Sequence, residues 1–140
     1  MTVQSDSLGE ALYALAAGVI RRRSRPLSLT ALSTLATLEQ SGPRRLTDLA
    51  IAEEITQPSM TSLVTQLEQL GFAERRRDSG DARVVLVAVT RAGRQLMRER
   101  RRAGAQVMTE LIDKLDEGDV AELHNALPAL QRLLEVVAAG

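Results

Sequence analysis

The chain has 140 residues, 18 basic against 18 acidic side chains and 44% apolar residues, enough for one domain with its own core and too apolar for disorder. It has no cysteine, one histidine (His124) and two aromatics, Tyr13 and Phe72. Disulfides, thiolate metal centres, cysteine nucleophiles, multi-histidine sites and base-stacking platforms are thereby excluded or left without material, so neither an enzyme nor a cofactor or metal site is expected.

Leu8, Leu12, Leu15 and Val19 recur at helical spacing and form one stripe of a first helix, which Arg25-Pro26 should close. The apolar stretch over 8–20 is too short for a membrane span and carries Glu10. The arginines at 21–25 follow it rather than precede it, the wrong order for a secretory signal, so a cytoplasmic protein is expected. Ser28 caps a second helix with Leu32, Leu35 and Leu38 inward, ended by Ser41-Gly42-Pro43. Thr47 is read as the cap of a short third helix burying Leu49, Ala50 and Ala52. Thr56 caps a fourth, with Pro58 in its first turn, an inward face of Met60, Leu63, Val64, Leu67 and Leu70, and Gly71 as its stop.

The period then changes. Residues 72–75 and 84–89 are short strand-like runs, joined through Asp78-Ser79-Gly80-Asp81, a turn composition, which makes a hairpin with a charged tip. Thr90 caps a long fifth helix expected to reach about Leu115, with Gly118 as its stop. Asp119 with Glu122 resembles a capping box for the last helix, whose stripe is Val120, Leu123, Leu127, Leu130, Leu134 and Val137, with a kink expected near Pro128. His124 falls among apolar neighbours and reads as a core or interface histidine.

Zero net charge hides an asymmetry. Between Arg75 and Arg102 ten arginines face three acids, a balance of plus seven; from Glu110 onward seven acids face two bases, a balance of minus five. One region is built to meet an anion and the other is not. Arginine outnumbers lysine seventeen to one, which suits phosphate and guanine recognition, although genomic base composition also favours it.

Helix, short helix, turn, helix and basic hairpin is the order of a winged helix-turn-helix. With Met60, Leu63, Val64 and Leu67 inward, the fourth helix turns Pro58, Thr61, Ser62, Thr65 and Gln69 outward, flanked by Gln57, Ser59 and Gln66. A helix with such a face fits a major groove. The hairpin arginines Arg75, Arg76, Arg77 and Arg83, with Asp81, form the wing, and Arg44 and Arg45 are candidates for the DNA backbone.

From about Leu27 to Gly93 the sequence resembles the multiple antibiotic resistance regulator (MarR) family of bacterial transcription factors. The resemblance is carried by Leu46-Thr-Asp-Leu-Ala50, Thr56-Gln-Pro-Ser-Met-Thr-Ser-Leu-Val64, Leu67-Glu-Gln-Leu-Gly71-Phe, Arg75, Asp78-x-x-Asp81-x-Arg83 and Leu86-x-x-x-Thr90-x-x-Gly93. It implies a mainly α fold with a small β-hairpin wing, in which residues 27–92 form the winged helix-turn-helix and residues 1–26 and 93–140 the flanking N- and C-terminal dimerisation helices. It implies that Arg83 enters a minor groove while Asp81 holds it, and that small aromatic or phenolic acids bind between the winged domain and the dimer helices, with Tyr13 and the arginines near 21–25 as candidate pocket residues. It also implies a homodimer, for which Leu8, Leu12, Leu15, Leu123, Leu127, Leu130 and Leu134 supply the interface, acting as a repressor on a pseudo-palindromic double-stranded operator. The family usually has leucine then glycine where this chain has Glu53 and Glu54, so the turn departs from the pattern and carries negative charge. The recognition helix has no arginine or lysine, which shifts affinity toward the wing. The rival reading is a low-specificity architectural DNA-binding protein without effector control.

Overall fold

The computed structural model describes residues 2–22 and 27–139. They form α1 (Thr2–Arg22), α2 (Leu29–Ser41), α3 (Leu46–Ala52), α4 (Gln57–Gln69), β1 (Ala73–Arg77), β2 (Val85–Val89), α5 (Arg91–Ile112) and α6 (Glu117–Ala139). Two compact units result: α1 with the chain from Gly104 onward, and the residues between them. The closing of α1 by Arg25-Pro26 lies outside the described residues.

The second unit holds the core. Leu32, Leu35 and Leu38 of α2, Leu49 and Ala50 of α3, Met60, Val64 and Leu67 of α4, and Ala73, Val87 and Val89 of the hairpin pack into one cluster. Met60, Val64 and Leu67 are completely buried; each withdraws a side chain worth roughly 1.5–3 kcal/mol from water, which fixes the rotation of α4 about its axis. Leu63 is half-buried at the edge of this face. Among the described residues Thr34 is the buried polar side chain, and its hydroxyl donates to the Thr30 carbonyl at 2.9 Å.

Local signals set most helix ends. Ser28 Oγ accepts from the Ala31 N–H at 3.1 Å, and Thr56 Oγ1 from that of Ser59 at 3.3 Å. Gly42 and Gly71 take φ of 75° and 79°, a left-handed backbone that a side chain would strain. At Gly71 the chain turns sharply: the Gly71 and Phe72 N–H groups donate to the carbonyls of Glu68 and Leu67. Thr90 then ties the start of α5 to that turn. Its hydroxyl donates to the Gly71 carbonyl at 2.6 Å and accepts from the Gly93 N–H at 3.1 Å.

Several boundaries differ from the sequence reading. Arg45, not Thr47, is the N-cap of α3, with no side-chain cap bond, because the helix starts two residues earlier than expected, at Leu46. Ala52 and Leu70 are exposed, since both lie at helix ends where the inward stripe has run out. β1 begins at Ala73 rather than Phe72, whose N–H is taken by the helix-ending turn. α5 stops at Ile112, and Gly118 lies inside the first turn of α6. Asp116 caps α6 in place of the Asp119 and Glu122 box, its Oδ1 accepting from the Asp119 N–H at 2.9 Å. α6 runs on through Pro128 and buries no residue. His124 is exposed, its Nδ1 2.9 Å from the Val120 carbonyl.

Candidate nucleic-acid interface

The turn between α3 and α4 sets the angle at which α4 is presented. Glu53 ends α3, and Glu54 takes φ of 53°. The N–H of Glu54 donates to the Ile51 carbonyl at 3.1 Å and that of Ile55 to Ala50 at 3.0 Å. This is the paired closure that glycine usually supports at a helix C-terminus. Two glutamates thus keep the turn, at the cost of a left-handed conformation in a residue with a Cβ. The carboxylate of Glu53 also accepts from Thr37 Oγ1 on α2 at 3.3 Å, which draws it back onto the helix-turn-helix body. Glu54 stays exposed.

Every outward residue assigned to α4 is exposed: Gln57, Pro58, Ser59, Thr61, Ser62, Thr65, Gln66 and Gln69. The face is small, polar and uncharged. Two of its hydroxyls are already committed as donors, Thr61 to the Gln57 carbonyl and Thr65 to the Thr61 carbonyl, both at 2.9 Å. Outward they offer methyl groups and acceptor lone pairs.

The hairpin is antiparallel, with Ala73 opposite Val89, Arg75 opposite Val87 and Arg77 opposite Val85. Its tip is closed by the chain's own polar groups. Asp78 Oδ2 accepts from the Asp81 N–H at 3.2 Å, the Val84 N–H donates to the Asp81 carbonyl at 3.0 Å, and Asp78 N–H to the Val84 carbonyl at 2.9 Å. Asp81 Oδ1 accepts both the backbone N–H of Arg83, at 3.0 Å, and its Nε, at 3.3 Å. The Arg83 side chain is nevertheless 92% exposed. One carboxylate therefore orients the guanidinium while leaving it open to a ligand. Arg77 folds back to the Ala82 carbonyl at 3.1 Å, and Arg76 is exposed on β1.

Arg44 and Arg45 precede α3. The backbone of Arg44 pairs with Val87 in both directions, at 3.0 and 2.8 Å, adding an isolated bridge on the far edge of β2. Its Nε donates to Ser41 Oγ, while Arg45 is exposed. Arg75 stands apart from the other wing arginines: it forms an ion pair with Glu68 of α4. Sequence reasoning missed this pair, and Glu68 with it, although both residues lay within the quoted motifs. Also missed was the bidentate pair of Glu39 on α2 with Arg101 on α5, at 2.7 and 3.3 Å. The Arg101 hydrogen bond holds the Glu39 carboxyl below its ordinary range, with Arg98 and Arg94 adding to the effect and partial burial opposing it.

In the other unit, Leu8, Leu15, Leu123, Leu127 and Leu134 are exposed, while Leu12 and Leu130 are half-buried. A shallow cleft of about 410 Å³ is lined by Ala14, Leu15, Gly18, Arg21 and Arg22 of α1 and by Leu111. Tyr13 is exposed and outside that lining, because it projects from a different side of α1; Arg23 and Arg25 lie outside the described residues.

A short helix, a tight turn, a second helix with a polar outward face and an arginine-tipped hairpin define a winged helix-turn-helix. The MarR-family sequence model matches residues 27–85. Helix-turn-helix-type transcriptional regulators of Mycobacterium leprae and Mycobacterium tuberculosis are each 34% identical over 115 residues, 82% of this chain and 80% of theirs. Among solved structures, a transcriptional regulator from Thermotoga maritima superposes with a TM-score of 0.78 at 18% identity, covering 100% of this chain and 99% of its own. Streptococcus pneumoniae FabT, solved in complex with DNA, does so with a TM-score of 0.56 at 22% identity, covering 96% of each chain. The chain belongs to the MarR family of transcriptional regulators. Among the described residues no helix is long and apolar enough to cross a membrane.

Proposed function

We propose that this chain is a homodimeric repressor that binds a pseudo-palindromic operator and releases it on binding a small effector. The observation that carries the DNA-binding reading is the wing tip, where Asp81 pre-orients an Arg83 side chain that is otherwise open to solvent. Such an arginine suits the negative potential of a narrow minor groove, and its conformation is largely fixed before binding. Beside it α4 presents an uncharged polar face of the width a major groove admits. Arg76, Arg44 and Arg45 contribute phosphate contacts.

The dimer reading rests on α1 and α6. Leu8, Leu123, Leu127, Leu134 and Val137 are between 41% and 72% exposed in the single chain. Leu123, Leu127, Leu134 and Val137 recur at helical spacing along α6, and monomeric proteins rarely leave an apolar stripe of this kind uncovered. A second copy covers it through a two-fold interface and places two recognition helices on half-sites about one helical turn apart. The cleft between α1 and Leu111 combines apolar walls with Arg21 and Arg22, chemistry that suits an aromatic carboxylate. Without cysteine, control passes through ligand binding rather than thiol oxidation.

Selection of bound sequences from random DNA, followed by competition binding, tests the proposal. A regulator prefers one short palindrome by on the order of a thousandfold over random DNA. Uniform affinity for all duplexes would instead establish the architectural reading. Gel-shift titration with aromatic carboxylates tests effector release.

A further inference from the structure

Arg75 lies among the wing arginines in sequence, yet its surroundings set it apart from them. Its guanidinium forms an ion pair with the carboxylate of Glu68, and its backbone N–H donates to the other oxygen of the same carboxylate, Oε1, at 2.9 Å. Nη2 lies 3.5 Å from Thr65 Oγ1, whose own proton goes to the Thr61 carbonyl. The two charged side chains are 32% and 29% exposed, against 92% for Arg83. Glu68 thus takes both the main-chain and the side-chain donors of the third residue of β1, while Arg75 reaches back onto the outward face of α4. Between the two residues stand only the helix-ending turn at Gly71 and the first two residues of β1.

We infer that Glu68 and Arg75 form a positioning clamp that fixes the wing's register against the recognition helix, and that Arg75 is not a phosphate contact. The inference rests on the DNA-binding reading above. A guanidinium that is 32% exposed and whose outer nitrogens are taken by Glu68 and Thr65 releases few counterions from DNA, whereas that of Arg83, 92% exposed and bonded to Asp81 only through Nε, keeps its outer nitrogens free for DNA. Recognition needs α4 in the major groove while Arg83 reaches the neighbouring minor groove. Their separation is set where β1 leaves α4, and the Glu68 carboxylate bridges that point. With its hydroxyl donating to the Thr61 carbonyl and accepting from Arg75, Thr65 offers DNA its methyl group and one remaining lone pair, so it can accept but not donate a hydrogen bond in readout.

The two roles of Arg75 predict opposite signs at Glu68. If Arg75 were a phosphate contact, Glu68→Ala would free its charge and remove an acid from the DNA side, tightening operator binding. As a clamp, the same substitution loosens the wing. Operator affinity then falls and the operator-over-random ratio drops by about five- to tenfold, in the range of coupled neighbouring residues.

The experiment measures operator and random-duplex affinity across a salt series for wild type, Glu68→Ala, Arg75→Ala, Arg75→Lys and Arg83→Ala, with circular dichroism for each. The clamp requires Arg75→Ala to lower discrimination with an unchanged salt slope, while Arg83→Ala lowers the slope by about one. Arg75→Lys should resemble Arg75→Ala, because an ammonium cannot reproduce the fork that spans Glu68 and Thr65. Tighter operator binding by Glu68→Ala, or a slope reduced by about one in Arg75→Ala, would overturn the clamp. A wild-type chain without any preferred site would instead overturn the regulator reading, a result distinguishable from either.

Discussion

Replacing Glu54 by glycine should stabilise the protein, an unusual direction for a substitution in a DNA-binding motif. At φ of 53° the Glu54 Cβ crowds the following carbonyl oxygen, a conformation costing roughly 1–2 kcal/mol in a residue with a side chain. Glycine removes that cost but surrenders about 0.5–1 kcal/mol of additional unfolded-state entropy. The Glu54 side chain is exposed and makes no described hydrogen bond or ion pair, so little else is lost. The net gain is about 0.5–1 kcal/mol, or about 2–3 °C in Tm for a chain of this size. Thermal unfolding followed by circular dichroism, at one fixed protein concentration because the proposed dimerisation would shift Tm, provides the measurement. Glu54→Ala is the control: it discards the carboxylate but keeps the Cβ, and should leave Tm close to wild type. Equal shifts for alanine and glycine would assign the effect to charge, and a lower Tm for glycine would refute the backbone argument outright. Operator affinity should hold or rise slightly, since the turn keeps its hydrogen bonds and an acid leaves the vicinity of α4.

Gly93→Ala should act in the opposite direction, because a Cβ there would stand 2.2 Å from the Phe72 carbonyl oxygen and 2.8 Å from Val89 Cγ2. The loss of about 1–3 kcal/mol expected for overpacking would be visible in urea unfolding. The Glu39 carboxyl is held below its ordinary value of about 4.5, so the bond to Arg101 adds stability in full above that pH and loses it as pH falls through the lowered value. Arg101→Ala should therefore show a constant deficit above about pH 5 that closes in more acidic solution, checked by Tm against pH. Leu127→Asp together with Leu134→Asp should give monomers in sedimentation and lower operator affinity, whereas an intact dimer would contradict the interface assigned to α6.

Much of the local architecture was legible because it is decided within a few residues. Ser28, Thr56 and Thr90 cap their helices through groups three residues away, and Gly42 and Gly71 sit where the backbone must turn left-handed. The 3.6-residue spacing of Met60, Val64 and Leu67 likewise fixed which side of α4 faces outward, and Asp81 lies two residues from the Arg83 it orients. Other features depend on contacts between distant segments. Thr47 and the Asp119–Glu122 box satisfied local capping rules, yet the helices began elsewhere, at residues 46 and 117. Arg44 pairs with Val87 and Glu39 with Arg101, partners that spacing within one element does not reveal. Sequence identified Arg75 as a basic wing residue; its neutralisation by Glu68 required the chain to turn at Gly71 and bring β1 back alongside α4. The same holds for Glu54, which accepts an unfavourable backbone because the packed segments on either side, Ala50 and Ile55 among them, leave the turn no other path. Composition and periodicity specify which residues are apolar, charged or able to cap, and a pair as near as Asp81 and Arg83 can be read from them; the Glu68–Arg75 and Glu39–Arg101 pairs and the strain at Glu54 depend on how the folded chain turns and packs.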